Sequence, residues 1–109
     1  MTTTNITRKH RLLFICLGNI CRSPAAEGVM KAKVHAANLD EQFFIDSAGI
    51  GNWHAGQLPD SRMRERGARR GYRLDSRARQ IRQTDFDDFD LLLVMDYENY
   101  RTVSSKAPD

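Results

Sequence analysis

Residues 11–24 read Arg-Leu-Leu-Phe-Ile-Cys-Leu-Gly-Asn-Ile-Cys-Arg-Ser-Pro, and the fold is decided there. Residues 11–16 form a short apolar run, the pattern of a buried strand. Gly18 and Asn19 end it in a turn. Ser23 and Pro24 then offer an N-cap and a proline at the first helical position. A helix is expected over residues 25–37, with Val29, Met30, Lys33 and Val34 at helical spacing and Asn38 as its stop. A strand, a short loop and a helix in succession turn backbone N–H groups inward, which makes a nest for a tetrahedral anion.

The residue types in that loop suit phosphoryl chemistry. Gly18 bends without steric cost, and Asn19 tolerates an unusual backbone angle while bracing the loop through its amide. Arg22 supplies a planar fork for two phosphate oxygens. Cys16 lies at the base, where N–H groups, helix dipole and Arg22 all favour the thiolate. Ser23 is placed to donate to that sulfur, as nucleophile and later as leaving group. The loop 17–22 (Leu17, Gly18, Asn19, Ile20, Cys21 and Arg22) would wrap the phosphate. Such a site attacks phosphorus directly and requires neither metal nor cofactor. Cys-x5-Arg alone is a weak signal, and Cys16 also fits a small buried hydrophobe at a strand end. The flanking Gly18, Arg22 and Ser23 favour the chemical reading.

Outward from the loop, residues 42–46 read as a second strand ending at Ser47-Ala48-Gly49, followed by a loop over 50–59. Asp60 caps a helix over 61–70 that stops at Gly71, and 72–74 suits a minor extended segment. Thr84 is the expected cap of a short acidic helix reaching Phe89. Residues 90–96 are the most apolar strand candidate, with a last helix over 97–106. Phe43, Phe44 and Leu91–Met95 are expected in the core. This alternation predicts an α/β fold, a Rossmann-like parallel sheet with helices on both faces. The ligand then sits beyond the carboxyl ends of the strands, where Cys16, Ser47 and Asp96 converge. Ser47 and Asp96 also fit plain strand-end caps.

The 109 residues suffice for one domain, with 40% hydrophobic and 28% charged residues. No apolar run approaches the ~18 residues that span a bilayer, and the first ten residues lack a signal-peptide core. Two cysteines make no disulfide scaffold, so a cytoplasmic, reducing location is expected and no membrane partner. His10, His35 and His54 are expected to be exposed and lack metal-ligand spacing. The net charge of +3 is unevenly spread: residues 62–82 hold nine arginines against Glu65 and Asp75, while residues 83–109 are acidic. The arginines recur without a single-face pattern and without aromatic neighbours for stacking, so solvated faces are expected and no nucleic-acid partner.

The Cys16–Pro24 segment resembles the phosphate-binding loop of the low-molecular-weight protein tyrosine phosphatases. Asp46-Ser47-Ala48-Gly49, Trp53, Arg77-Ala78-Arg79-Gln80 and Val94-Met95-Asp96 resemble that family's later landmarks in order. The resemblance implies a domain over 11–109 after an extension over 1–10, acting on a phosphotyrosine protein or small aryl phosphate and releasing inorganic phosphate. It implies Cys16 as nucleophile, Arg22 as transition-state clamp, and Asn19, Ser23, Ser47 and Asp96 as support. Trp53 would form the substrate rim, although ordinary loop packing suits it equally. Cys21 resembles the neighbouring cysteine that forms a reversible disulfide with the nucleophile.

Two departures stand out. Ser76 occupies a position where many members have a His, and a hydroxyl would keep part of that bonding. The family's general acid is an Asp on a loop well beyond Ala107-Pro108, and Asp109 does not match it. A fourth strand, the acid loop and a closing helix are therefore expected beyond residue 109, in a longer product of which this chain is a part. Taken alone, the chain is expected to expose the edge at 91–95 and self-associate. The alternatives are a non-catalytic phosphate-binding module and an arsenate reductase. The latter needs two further cysteines, and no Cys follows Cys21.

Overall fold

Alternation along the first strand organises the molecule. In β1 (His10–Cys16), Leu13 and Ile15 point to one face and Leu12 and Phe14 to the other. β1 is the middle strand of a parallel sheet, flanked by β2 (Phe43–Gly49) and β3 (Leu91–Val94) in the order β2-β1-β3. Leu12 lies opposite Ile45 on one side and Leu91 on the other. This computed structural model describes residues 9–108. Of the extension expected over 1–10, residues 1–8 lie outside the described residues, as does Asp109, and His10 already belongs to β1.

Helices cover both faces, as the alternation predicts. Helix α1 (Arg22–Ala36) brings Val34 and Met30 against Leu12, Phe14 and Ile45. On the opposite face, Leu13, Ile15 and Ala48 pack with Phe89 and with Val103 of the C-terminal helix, Tyr97–Lys106. Two further helices lie between β2 and β3. They are α2 (Ser61–Arg69) and the single turn α3 (Asp85–Asp88), which makes the C-terminal helix α4. Leu13 and Ile15 are fully buried, each stabilising the fold by about 1.5–3 kcal/mol.

Several expectations are corrected. α1 starts at Arg22 with Cys21 at its N-cap position, so Ser23 lies inside the first turn and does not cap. A 3-10 turn at Asp40–Gln42 precedes β2, after Asn38 ends the α1 region at φ 59°. Residues 72–74 form no strand, because Leu74 turns inward between Gly28 of α1 and Gly67 of α2. Thr84 makes no side-chain cap; Asp85 is instead drawn into the interior. Phe44 and Leu91 are exposed, since β2 and β3 are the margins of the sheet among the described residues. Arg11 partly covers Phe44, its guanidinium carbon 4.4 Å from the ring centre.

Helix α2 behaves as its sequence dictates at both ends. Asp60 Oδ2 accepts from the Met63 N–H at 3.1 Å. At the other end Gly71 adopts φ +85°, with Tyr72 N–H bonded to the Gly67 carbonyl and Gly71 N–H to that of Ala68. Its arginines are more one-sided than the sequence spacing suggested. Met63, Arg64 and Gly67 are half-buried, whereas Arg62, Arg66, Arg69 and the following Arg70 face solvent.

Candidate active site

The loop between β1 and α1 is held by its carbonyls. Those of Cys16 and Leu17 accept from Ile50 and Gly51, and that of Ile20 accepts from Asp60 at 2.7 Å. The carbonyl of Cys21 accepts from Ala25 within α1. With the oxygens so engaged, the N–H groups of Asn19, Cys21 and Ser23 are directed at the Cys16 sulfur. Asn19 makes the reversal possible at φ 58°, in the left-handed region that Asn tolerates better than most residues. Gly49 lets β2 approach the loop, because a Cβ there would lie 2.9 Å from the Gly18 carbonyl carbon.

Cys16 is buried, and its thiol is held below its ordinary value. Burial alone pushes the thiol up; the Ser23 hydroxyl and the N–H groups of Ser23, Asn19 and Cys21 outweigh it. Ser23 Oγ lies 2.9 Å from Sγ, and the Asn19 N–H donates to Sγ at 3.3 Å. The direction of the first bond follows from its neighbours. Asn19 Oδ1 accepts the Arg79 N–H at 2.9 Å, so its amide nitrogen is the atom facing Ser23 Oγ at 2.8 Å and Ser47 Oγ at 3.0 Å. Ser23 thus accepts from Asn19, and because the Cys16 thiolate has no proton to give, the Ser23 hydroxyl is the donor to it.

The same logic continues away from the sulfur. Ser47 accepts from Asn19 and donates to Glu27 Oε1 at 2.5 Å, and Ser76 donates to that oxygen at 2.9 Å. Lys31 bonds the other oxygen at 2.6 Å, leaving the buried Glu27 carboxylate well partnered. Ser76 therefore joins the bracing network through its hydroxyl. Sequence reading did not find Glu27, whose place in α1 looks like an ordinary solvent-facing position.

Arg79 and Asp46, named in the sequence only as landmarks of the resemblance, form a second anchor. Arg79 reaches Asp85 through two bonds of 3.0 and 3.1 Å and Asp46 through one of 3.2 Å. Asp85 is fully buried, which by itself raises its carboxyl; Arg79 and the Arg82 N–H hold it below the usual range instead. Arg79 in turn is raised, burial being outweighed by Asp85 and Asp46. One residue thereby ties β2, α3 and the Asn19 amide together.

The remaining site residues lie further from the sulfur. Arg22 opens α1 half-exposed and donates to Asp96 Oδ2 at 3.2 Å, while Asp96 Oδ1 caps α4 by accepting from Asn99. Asp96 thus braces Arg22 rather than the loop backbone. Trp53 is 64% exposed, with its ring against Gly51. His54, expected to be exposed, is half-buried and rests against Gly18. Cys21 is a free, exposed thiol. Among the described residues no cluster of His, Cys, Asp or Glu could hold a metal ion, and no helix is long and apolar enough to cross a membrane.

Comparison with known proteins agrees with this geometry. The family model for low molecular weight phosphotyrosine protein phosphatase matches residues 11–109. A Synechocystis protein provisionally named a low molecular weight protein-tyrosine-phosphatase is 51% identical over 98 residues, covering 90% of this chain and 62% of its own. The low molecular weight phosphotyrosine protein phosphatase of Schizosaccharomyces pombe is 41% identical over 104 residues, covering 94% of this chain and 67% of its own. A crystal structure of protein tyrosine phosphatase from Entamoeba histolytica, a product-state mimic, superposes with a TM-score of 0.91 at 48% identity, covering 93% of this chain and 65% of that one. The chain therefore spans about two thirds of the length of these relatives, and it belongs to the low molecular weight phosphotyrosine protein phosphatase family.

Proposed function

We propose, from that membership, that the chain hydrolyses phosphotyrosine monoesters through a cysteinyl-phosphate intermediate. The Ser23 hydroxyl oxygen 2.9 Å from the Cys16 sulfur, with the loop N–H groups directed at the same atom, is the observation that carries this reading. Cys16 forms a bond to phosphorus as the bond to the ester oxygen breaks. Arg22 leaves Asp96 for the dianion, and the loop N–H groups hold the other oxygens. Water then attacks phosphorus, inorganic phosphate departs and the Ser23 hydroxyl stabilises the returning thiolate. Trp53 forms the rim against the aryl ring; where a peroxide oxidises Cys16 to its sulfenic acid, the Cys21 thiol attacks that sulfur and expels water, and the resulting disulfide protects the nucleophile from further oxidation. A reducing, cytoplasmic location suits this thiol chemistry.

Tyrosine phenolate needs a proton as it leaves, a contribution of typically ~10²–10⁴ in rate. Asp96 is unsuited to give it, because the Asn99 N–H and then Arg22 hold its carboxyl below the usual range. The 109-residue polypeptide should therefore turn over para-nitrophenyl phosphate, whose leaving group needs little help, and act poorly on a phosphotyrosine peptide. Cys16→Ser should abolish the first activity; turnover that survives this change would exclude the reading. The exposed Leu91 edge of β3 is the surface through which this polypeptide self-associates.

A further inference from the structure

Resting on that phosphatase reading, we propose that the outward face of α2 docks acidic residues flanking the phosphotyrosine of a polypeptide substrate. The helix starts at the phosphate loop, where Asp60, its cap, donates its N–H to the Ile20 carbonyl at 2.7 Å. From there Arg62, Arg66, Arg69 and Arg70 follow at spacings that share one side of a helix, and all four are exposed. Only two have carboxylate partners: Arg62 with Asp60 at 4.0 Å and Arg69 with Glu65 at 3.6 Å. Arg66 and Arg70 have no such partner among the described residues. Leu74, wedged between Gly28 and Gly67, holds the inner side of the helix, so the arginines are presented on a fixed element.

Charge and shape select the partner. Nine residues of helix run about 13 Å, the reach of roughly four residues of extended peptide. A peptide whose phosphoryl group sits in the loop and whose chain runs along α2 brings Asp or Glu side chains up to about four residues away alongside these arginines, an attraction that salt screens. An anionic membrane would need apolar residues beside the basic ones, and the exposed positions of α2 are Ser61, Arg62, Glu65, Arg66, Ala68 and Arg69. RNA would need stacking surfaces, and this face has none. An acidic polypeptide needs only the charges that are present.

The test compares two phosphotyrosine peptides, one with Asp and Glu flanks and one with Ser and Gly flanks, by fluorescence anisotropy on Cys16→Ser protein. The acidic peptide should bind about five- to ten-fold more tightly at low salt, with the preference falling below about two-fold at ~1 M salt. The Arg66→Glu/Arg70→Glu variant should lose the preference. A Lys33→Glu/Lys106→Glu variant, carrying the same charge change elsewhere, should keep it. Equal binding of the two peptides, or a preference that survives Arg66→Glu/Arg70→Glu, overturns the proposal. So does single-stranded RNA of equal charge displacing the acidic peptide through the same arginines. Para-nitrophenyl phosphate turnover with Cys16 intact separates the two levels: its presence in the Arg66→Glu/Arg70→Glu variant shows a working loop, and its absence from the unaltered chain overturns both readings.

Discussion

The backbone N–H of Arg79 donates to Oδ1 of Asn19 at 2.9 Å, and this bond sets the direction of the hydrogen bonds between Asn19 and the Cys16 sulfur. With its oxygen so occupied, the Asn19 amide can only donate to Ser23 and Ser47, and Ser23 donates its own proton to the Cys16 thiolate. A backbone group from a distant part of the chain thereby tunes the nucleophile.

Asn19→Asp removes both donors while keeping a residue that tolerates a positive φ. The Ser23 hydroxyl then turns to the new carboxylate and the thiol rises toward its ordinary value. In a Cys21→Ser background, the pH midpoint of Cys16 alkylation by iodoacetamide should move up in Asn19→Asp and similarly in Ser23→Ala. Because both act through one proton, the double variant should move little further. Unchanged midpoints would contradict this wiring.

Arg79 and Asp85 should dominate the response to acid. The Asp85 carboxyl is depressed in the folded protein, so its contribution is fully present above the unfolded value of about 3.9 and is lost as pH falls through the folded value. Thermal stability should therefore decline steeply below about pH 4. Arg79→Met should cost about 3 kcal/mol at neutral pH in denaturant melts, since it leaves Asp85 buried without its main partner. A loss below about 1 kcal/mol would show that Asp85 finds other support.

Much of this arrangement was legible in the sequence, for reasons that differ by residue. The Cys16–Pro24 run was readable because strand, turn and helix signals are contiguous there and the chemistry sits on them. The Asp60 cap and Gly71 stop of α2 were readable because capping is local. The roles of Glu27 and Arg79 were not: Ser47 lies 20 residues from Glu27 and Asp46 lies 33 from Arg79, and even Asp85, six residues from Arg79, looks like any surface charge in one dimension. Ser23 was misread as a cap for a related reason. Its sequence position suits capping, but the sulfur at the end of β1 competes for its hydroxyl and wins.

Packing between α1 and α2 depends on two glycines that meet one leucine. A Cβ on Gly28 would come 2.2 Å from Leu74 Cδ2, and one on Gly67 would come 2.7 Å from Leu74 Cδ1. Gly28→Ala should destabilise by about 1–3 kcal/mol through overpacking. Pairing it with Leu74→Val should recover part of that loss. A double variant no more stable than Gly28→Ala would place the conflict at the Arg73 carbonyl instead, which a Cβ on Gly28 would approach to 3.1 Å.

The edge of β3 should drive association of the 109-residue polypeptide. Leu91 is 55% exposed, and the strand pairs only with β1 among the described residues. Light scattering should show a mass that rises with concentration, and Leu91→Lys should lower it by placing a charge on the edge. A monodisperse monomer at high concentration would contradict this.

The most direct test of the account is chemical trapping at Cys16. The polypeptide is mixed with para-nitrophenyl phosphate, quenched in acid within milliseconds and digested for peptide mass spectrometry. One added phosphoryl group is expected on the peptide containing Cys16, present during turnover and absent from Cys16→Ser. Turnover with no adduct on that peptide, or with the phosphoryl group on another residue, would contradict it.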